Sequence, residues 1–225
     1  DIRPTTDEEF DVFVDTVHAA FGRFPEAPNA RDGVWWAALE MDRNLFAVTA
    51  DGRPVGTAGA YSFELTLPGQ VVVPAAGITV VGVLPSHRRQ GVLSALMRRQ
   101  LADLRDRGEF LSVLLASEAL IYRRFGYGPA TYTTRLTVTR HRAALAVPRA
   151  SGPADSGTVE VLRRSECDKL LEEVYDRYRR AQPGALSRPH RWWATGAGRP
   201  PVAPAPRYIA VHRDADGVPD GYASY

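Results

Sequence analysis

The feature that most constrains this chain is the run Val80-Val81-Gly82-Val83-Leu84-Pro85-Ser86-His87-Arg88-Arg89-Gln90-Gly91-Val92-Leu93-Ser94. Val80 to Leu84 is apolar without alternation, the pattern of a strand covered on both faces. Pro85 has no backbone donor and ends that strand. From Gly91 the apolar residues Val92, Leu93, Ala95, Leu96 and Leu101 recur at helical spacing. The expected unit is therefore strand, short basic turn, helix. The first turn of a helix leaves N–H groups unpaired and carries partial positive charge. Arg88 and Arg89 precede it, and Gly91 lets an anion approach the backbone closely. This is the sequence of a pyrophosphate cradle, and it points to a phosphate-bearing cofactor.

Two common cradles are excluded. A Walker-type loop needs a Gly-Lys-Ser/Thr ending, and a dinucleotide fingerprint needs three glycines where only Gly91 lies in the turn. What remains is Arg-x-x-Gly-x at Arg88–Val92. It resembles the acetyl-CoA motif of the GNAT superfamily of N-acetyltransferases, with Leu93 where a second small residue is usual. A second run fits the same resemblance. Ile121-Tyr122-Arg123-Arg124-Phe125-Gly126-Tyr127 is similar to the aromatic-Tyr-x-x-x-Gly-aromatic pattern with which such enzymes close the cofactor site, Ile121 replacing the first aromatic. When an amine attacks a thioester, the departing thiolate needs a proton, which a phenol of pKa ~10 can supply. Tyr122 is thus the expected general acid, against the alternative of a half-buried packing aromatic. For Tyr127 packing is the better reading.

Together His87–Gly91, Ala116-Ser117-Glu118, Ile121-Tyr122 and Phe125-Gly126-Tyr127-Gly128-Pro129-Ala130 resemble the Eis family. These are actinobacterial GNAT enzymes that acetylate amines of aminoglycosides and related polyamines. The resemblance implies that Val81, Gly82 and Val83 offer strand backbone to the pantetheine arm. It implies that Arg89, Gln90, Gly91, Val92, Leu93 and Ser94 hold the pyrophosphate of acetyl-CoA. On the resemblance alone, Ser117 and Glu118 border the thioester end. The family's aromatic, acidic substrate cavity would here draw on Phe24, Glu26, Trp35 and Trp36, for which helix packing and a solvated acid are an equal reading. Partners implied are a small-molecule amine and further copies of the chain, as a hexamer.

An ammonium acceptor must also lose a proton. Gly77 to Val83 holds no carboxylate. The resemblance implies a base at the C-terminal carboxylate of a third domain outside these residues. Glu64, on the preceding strand, is a second candidate, with a solvated surface role as the plainer reading. The missing carboxylate also supports an alternative: a non-catalytic acyl-CoA-binding or regulatory module.

Composition narrows the rest. The 225 residues are 44% hydrophobic and 24% charged, ordinary for a globular protein. No apolar run approaches the roughly twenty residues of a membrane span, and the N-terminus does not resemble a secretory signal, so a cytoplasmic location is expected. The lone Cys167 excludes an internal disulfide and a multi-cysteine zinc site, and is read as a helix core residue. No two of the five histidines stand at metal-ligand spacing, so no metal is expected. A net charge of +2, without an aromatic-basic platform, argues against nucleic acid.

The expected order is strand at Ile2-Arg3, helix from a Thr6/Glu9 capping box, and a second helix over Asp32–Met41. A hairpin follows at Leu45–Ala50 and Val55–Phe63, turning at Asp51-Gly52. Then come the strand Gly77–Leu84, the helix Gly91–Arg107, the strand Leu111–Leu115, a short helix and the strand Thr131–Thr139. The fold class is α/β, a mixed sheet with helices on both faces, and residues 1–142 form a GNAT domain. Pro148, Gly152, Pro153 and Gly157 mark a linker over 143–157. A second, degenerate GNAT-like domain over 158–225 is expected to hold a strand at Val159–Leu162, a helix at Ser165–Ala181 and a hairpin around Asp216-Gly217. It stops within a strand, so the chain is expected to be a truncated piece of a longer protein.

Overall fold

The computed structural model describes residues 1–23, 36–132, 134, 137, 139, 157–195 and 208–224. The chain divides into two compact units. One comprises Asp1–Leu115 and Asp168–Pro206, the other Ala116–Cys167 and Arg207–Tyr225.

The first unit is built on a five-stranded sheet in the order β1-β2-β3-β4-β5, with β1 Ile2–Pro4, β2 Leu45–Val48, β3 Pro54–Leu67, β4 Val71–Val83 and β5 Leu111–Leu114. Neighbours are antiparallel except β4 and β5, which are parallel. The expected mixed sheet is present. β2 shows how its two faces are filled. Leu45 and Ala47 join Val55, Ala58 and Leu96 in a buried cluster, with Val81, Val83 and Val92 packed on it. That cluster seats α2, Val92–Asp106. Phe46 points the other way and joins Phe13 and Val17 of α1, Phe10–Ala20. Strand alternation thus sends successive side chains to opposite helical layers.

β3 and β4 run past the expected ends, because Val71–Pro74 continues the strand through a proline. β5 begins opposite Ala75, so Pro74 lies where β4 is paired only to β3, opposite Glu64, and no second ladder needs its missing N–H. The far half of β3 gains another neighbour. Ser187 N–H donates to the Glu64 carbonyl at 2.8 Å, Gly184 N–H to Thr66 O at 2.7 Å, and Thr66 N–H to Ala185 O at 3.0 Å. Residues 184–187 therefore line that edge like a short extra strand.

The expected helix over Asp32–Met41 is corrected where it is described. Residues 32–35 lie outside the described residues, and the remainder forms two 3-10 turns, Trp36–Ala38 and Met41–Arg43. Glu40 between them is extended. Its carboxylate accepts from Ser62 N–H at 2.7 Å and Ser62 Oγ at 2.6 Å, and from Arg191. Three donor groups, two from Ser62 and one from Arg191, hold Glu40 against β3 and interrupt the helix. Arg191 lies on α5, His190–Thr195, and its neighbour Trp192 stands edge-on to Tyr61 and Phe63.

The second unit contains α3, Ala119–Tyr122, and a three-stranded antiparallel sheet of β6 Thr158–Arg163, β7 Tyr208–Arg213 and β8 Pro219–Ser224. Ile209 and Val211 are its buried side chains. α4, Arg164–Ala181, follows β6 directly, and from Asp168 on it belongs to the first unit; Cys167 in its first turn is buried, donating from Sγ to Arg163 O at 3.3 Å. Of the strand expected over Thr131–Thr139, residues 131, 132, 134, 137 and 139 are not in a strand. The others lie outside the described residues, as does most of the expected linker.

Candidate active site

In the first unit the sheet opens at the end of β4. Pairing with β5 runs from Ala75–Leu111 to Ile78–Leu114 and stops. Beyond it, residues 79–83 keep β3 on one side. On the other side, among the described residues, they have no strand. The β3–β4 register also slips here: Gly59 faces Thr79, but Thr57 faces Gly82 and Gly56 faces Val83. One extra residue in β4 makes a β-bulge, and Val80 within it has φ +46°. A β-branched residue in the left-handed region is strained by about 1–3 kcal/mol. The strain is met by specific contacts. Buried Thr57 donates its hydroxyl to Val80 O at 2.7 Å, and the Val80 side chain packs with the Phe13, Val17 and Phe46 cluster.

The segment expected to form the cradle follows. Pro85–His87 is a 3-10 turn, and α2 starts at Val92 with Gly91 as its N-cap. Arg89 has φ +62° and Gly91 φ +84°. A left-handed residue next to a right-handed one turns neighbouring backbone N–H groups toward one side, as in anion-binding nests. No side chain caps the helix, so the amides of Val92, Leu93 and Ser94 keep their unpartnered character. Gln90 closes the turn, donating from Nε2 to Ser86 O at 3.2 Å. Arg89 is exposed, and among the described residues no ion pair engages it. Arg88 is turned inward: Nη2 donates to Ala20 O at 2.9 Å and Nε to Val83 O at 3.2 Å. Ala20 is the last residue of α1, where a cation meets unpaired carbonyls. Gly82 is needed here because a Cβ would stand 2.8 Å from Ala20 Cβ.

Of the expected acceptor-site residues, Phe24, Glu26 and Trp35 lie outside the described residues. Trp36 is half-buried, edge-on to His18 at 5.1 Å, and packs on the same cluster as Val80. Glu64 does not stand free: Arg179 Nη2 donates to its carboxylate at 2.8 Å. Its carboxylate is thus engaged in an ion pair.

In the second unit, Ser117 and Glu118 are exposed at the entry to α3, and Glu118 is its N-cap residue. Tyr122 ends α3, half-buried and edge-on to Tyr127 at 5.9 Å. Burial pushes the Tyr122 phenol above its ordinary range, and the Tyr127 and Glu118 charges add to the rise. The phenol therefore keeps its proton at neutral pH. Gly126, with φ +93°, ends the following turn.

Two features have the form a coenzyme A site needs: a strand edge open to an amide-bearing arm, and an uncapped helix N-terminus for phosphates. Sequence reading missed Thr57 and the inward role of Arg88. A threonine within the apolar run Val55–Ala60 is the one signal that marked the former.

A mixed sheet that opens beside an Arg-Gln-Gly turn has the architecture of an acetyltransferase fold. The family described as acetyltransferase (GNAT) domain matches residues 1–130, and the chain belongs to that family. It is 37% identical over 231 residues to the N-acetyltransferase Eis of Mycobacterium tuberculosis, covering 99% of this chain and 54% of that protein. An uncharacterized N-acetyltransferase of Streptomyces avermitilis is 36% identical over 228 residues, covering 100% of this chain and 54% of the relative. The crystal structure of Eis1 from Mycobacterium abscessus superposes with a TM-score of 0.78 at 35% identity, over 100% of this chain and 52% of that one. The chain thus spans about half the length of the relatives it matches. No helix among the described residues is long and apolar enough to cross a membrane.

Proposed function

We propose that the whole protein is an acetyl-CoA-dependent N-acetyltransferase that modifies amines of aminoglycoside-like or polyamine substrates. The observation that carries the reading is the uncapped α2 N-terminus behind left-handed Arg89 and Gly91, continuous with the open edge of Val81–Val83. When bound, acetyl-CoA would supply an acetyl group activated as a thioester. Val81–Val83 would hold the amide-bearing arm by backbone pairing, and Arg89–Ser94 would hold the phosphates. Ser117 and Glu118 would border the arm's far end. The Tyr122 hydroxyl, protonated at neutral pH, would donate its proton from Oη to the departing sulfur. Phe24, Glu26, Trp35 and Trp36 would line the acceptor side, where aromatic faces and an acid attract cationic amines. Likeness to the N-acetyltransferase Eis of Mycobacterium tuberculosis supports acetyl transfer to nitrogen; the substrate class rests on the family resemblance, with a hexameric, cytoplasmic enzyme as the expected setting.

The test is acetyl transfer by the full-length protein to aminoglycosides, polyamines and lysine peptides, followed by mass spectrometry. Acetylated aminoglycoside or polyamine supports the reading; turnover of lysine peptides alone rejects the substrate class. One observation favours a second reading, a non-catalytic acyl-CoA-binding module: Gly77–Val83 has no carboxylate and Glu64 is engaged by Arg179. Coenzyme A binding without transfer to any acceptor would establish it.

A further inference from the structure

We propose that Thr57 is a positioning residue for the pantetheine half of coenzyme A, acting through the Val80 bulge; this rests on the acetyl-CoA reading above. Three observations meet at one point. Thr57 is fully buried and its hydroxyl donates to the Val80 carbonyl at 2.7 Å. Val80 has the left-handed φ of +46°. The register of β3 against β4 shifts by one residue between Gly59–Thr79 and Thr57–Gly82. Strand side chains alternate, so a one-residue slip exchanges the two faces of everything beyond it. With the bulge, Val81 and Val83 point to the α2 layer and pack there, while Gly82 meets Ala20 of α1. Without it, Thr57 would stand opposite Val81, and the residues after Val80 would change faces. The backbone N–H and C=O groups that Val81–Val83 present at the open edge would reverse with them. Thr57 thus fixes which groups an incoming arm meets, although it need not touch the arm.

This hydroxyl makes no bond within the phosphate cradle at Arg89–Ser94, where Arg88 Nη2 bonds Ala20 O, Gln90 bonds Ser86 O and Gly91 is the N-cap of α2. That separates the two halves of the ligand. The experiment is calorimetric titration of the intact protein and of Thr57→Val and Thr57→Ser with coenzyme A, and with its adenosine-diphosphate half alone. Thermal unfolding is recorded for each variant. For Thr57→Val we expect about ten-fold weaker coenzyme A binding, the size set by one hydrogen bond. Binding of the adenosine-diphosphate half stays unchanged, and Thr57→Ser restores the loss. Equal weakening of both ligands with a lowered melting temperature would make Thr57 merely structural and overturn the proposal, as would unchanged affinities. Failure of the parent protein to bind coenzyme A would instead reject the acetyl-CoA reading itself.

Discussion

Arg88 Nη2 bonds to the carbonyl of Ala20, 68 residues earlier, at 2.9 Å, and so ties the basic turn to the end of α1. Its Nε reaches Val83 O as well. Arg88→Ala should lower stability by about 1 kcal/mol, since the side chain is exposed beyond its contacts. It should also weaken coenzyme A binding several-fold. Arg88→Lys should not restore either property, because an ammonium lacks the planar fork that spans two carbonyls. Urea denaturation and calorimetry read the two effects.

Tyr122→Phe should leave coenzyme A affinity unchanged and lower kcat of the full-length enzyme about a hundred-fold. The phenol's raised pKa sets the sign of the pH dependence. The acid is present throughout the neutral range and is lost only as pH rises through its elevated pKa, so no acidic limb of the rate profile belongs to Tyr122. A pH–rate profile with Tyr122 intact and replaced checks this.

Arg43 and Glu109 form a two-pronged pair at 2.7 and 2.5 Å, their side chains only 5% and 10% exposed. Arg43 also donates to Ser62 Oγ at 2.9 Å. Glu109→Gln would strip a buried guanidinium of its hydrogen-bonded partner charge, leaving the fields of Glu40 and Asp42, and should destabilise by about 3 kcal/mol. The double variant Arg43→Met, Glu109→Leu should recover much of that loss. Chemical denaturation of the three proteins decides it.

Glu9 accepts from Arg3 at 2.9 and 2.6 Å and from Thr6 N–H at 3.0 Å. The Arg3 hydrogen bond holds its carboxyl below the ordinary range, with Thr6 adding to the effect against desolvation. A carboxyl with a lowered folded pKa binds fewer protons folded than unfolded. Its stabilisation is therefore full above the unfolded pKa and is lost as pH falls through the folded one. Glu9→Gln should be less stable than the parent by up to about 1 kcal/mol at neutral pH. The gap should close on acidification below about pH 4, as unfolding curves across pH would show.

The strand, turn and helix around Pro85 and Gly91 were legible because each boundary rests on a local rule: a missing donor, a left-handed residue, a helical period. The length of β4 was not, because Pro74 reads as a break until the neighbour on its far side is known to begin at Ala75. The bulge was invisible for a similar reason. Val80 in an apolar run looks the same whether it keeps or breaks register, and only Thr57 across the ladder decides. Trp36 could be assigned to a helix from spacing alone, whereas the turns at 36–38 and 41–43 follow from Glu40 being drawn to Ser62 and Arg191.

Residues 184–187 settle against β3 from far down the chain: Ser187 Oγ accepts from Glu64 N–H at 2.8 Å across 123 positions. Partners so distant make assembly of this edge a late event, after the local hairpin of β3 and β4 has closed. During synthesis the flank stays bare until residue 187 has left the ribosome, and over that interval β3 carries an unpaired strand edge.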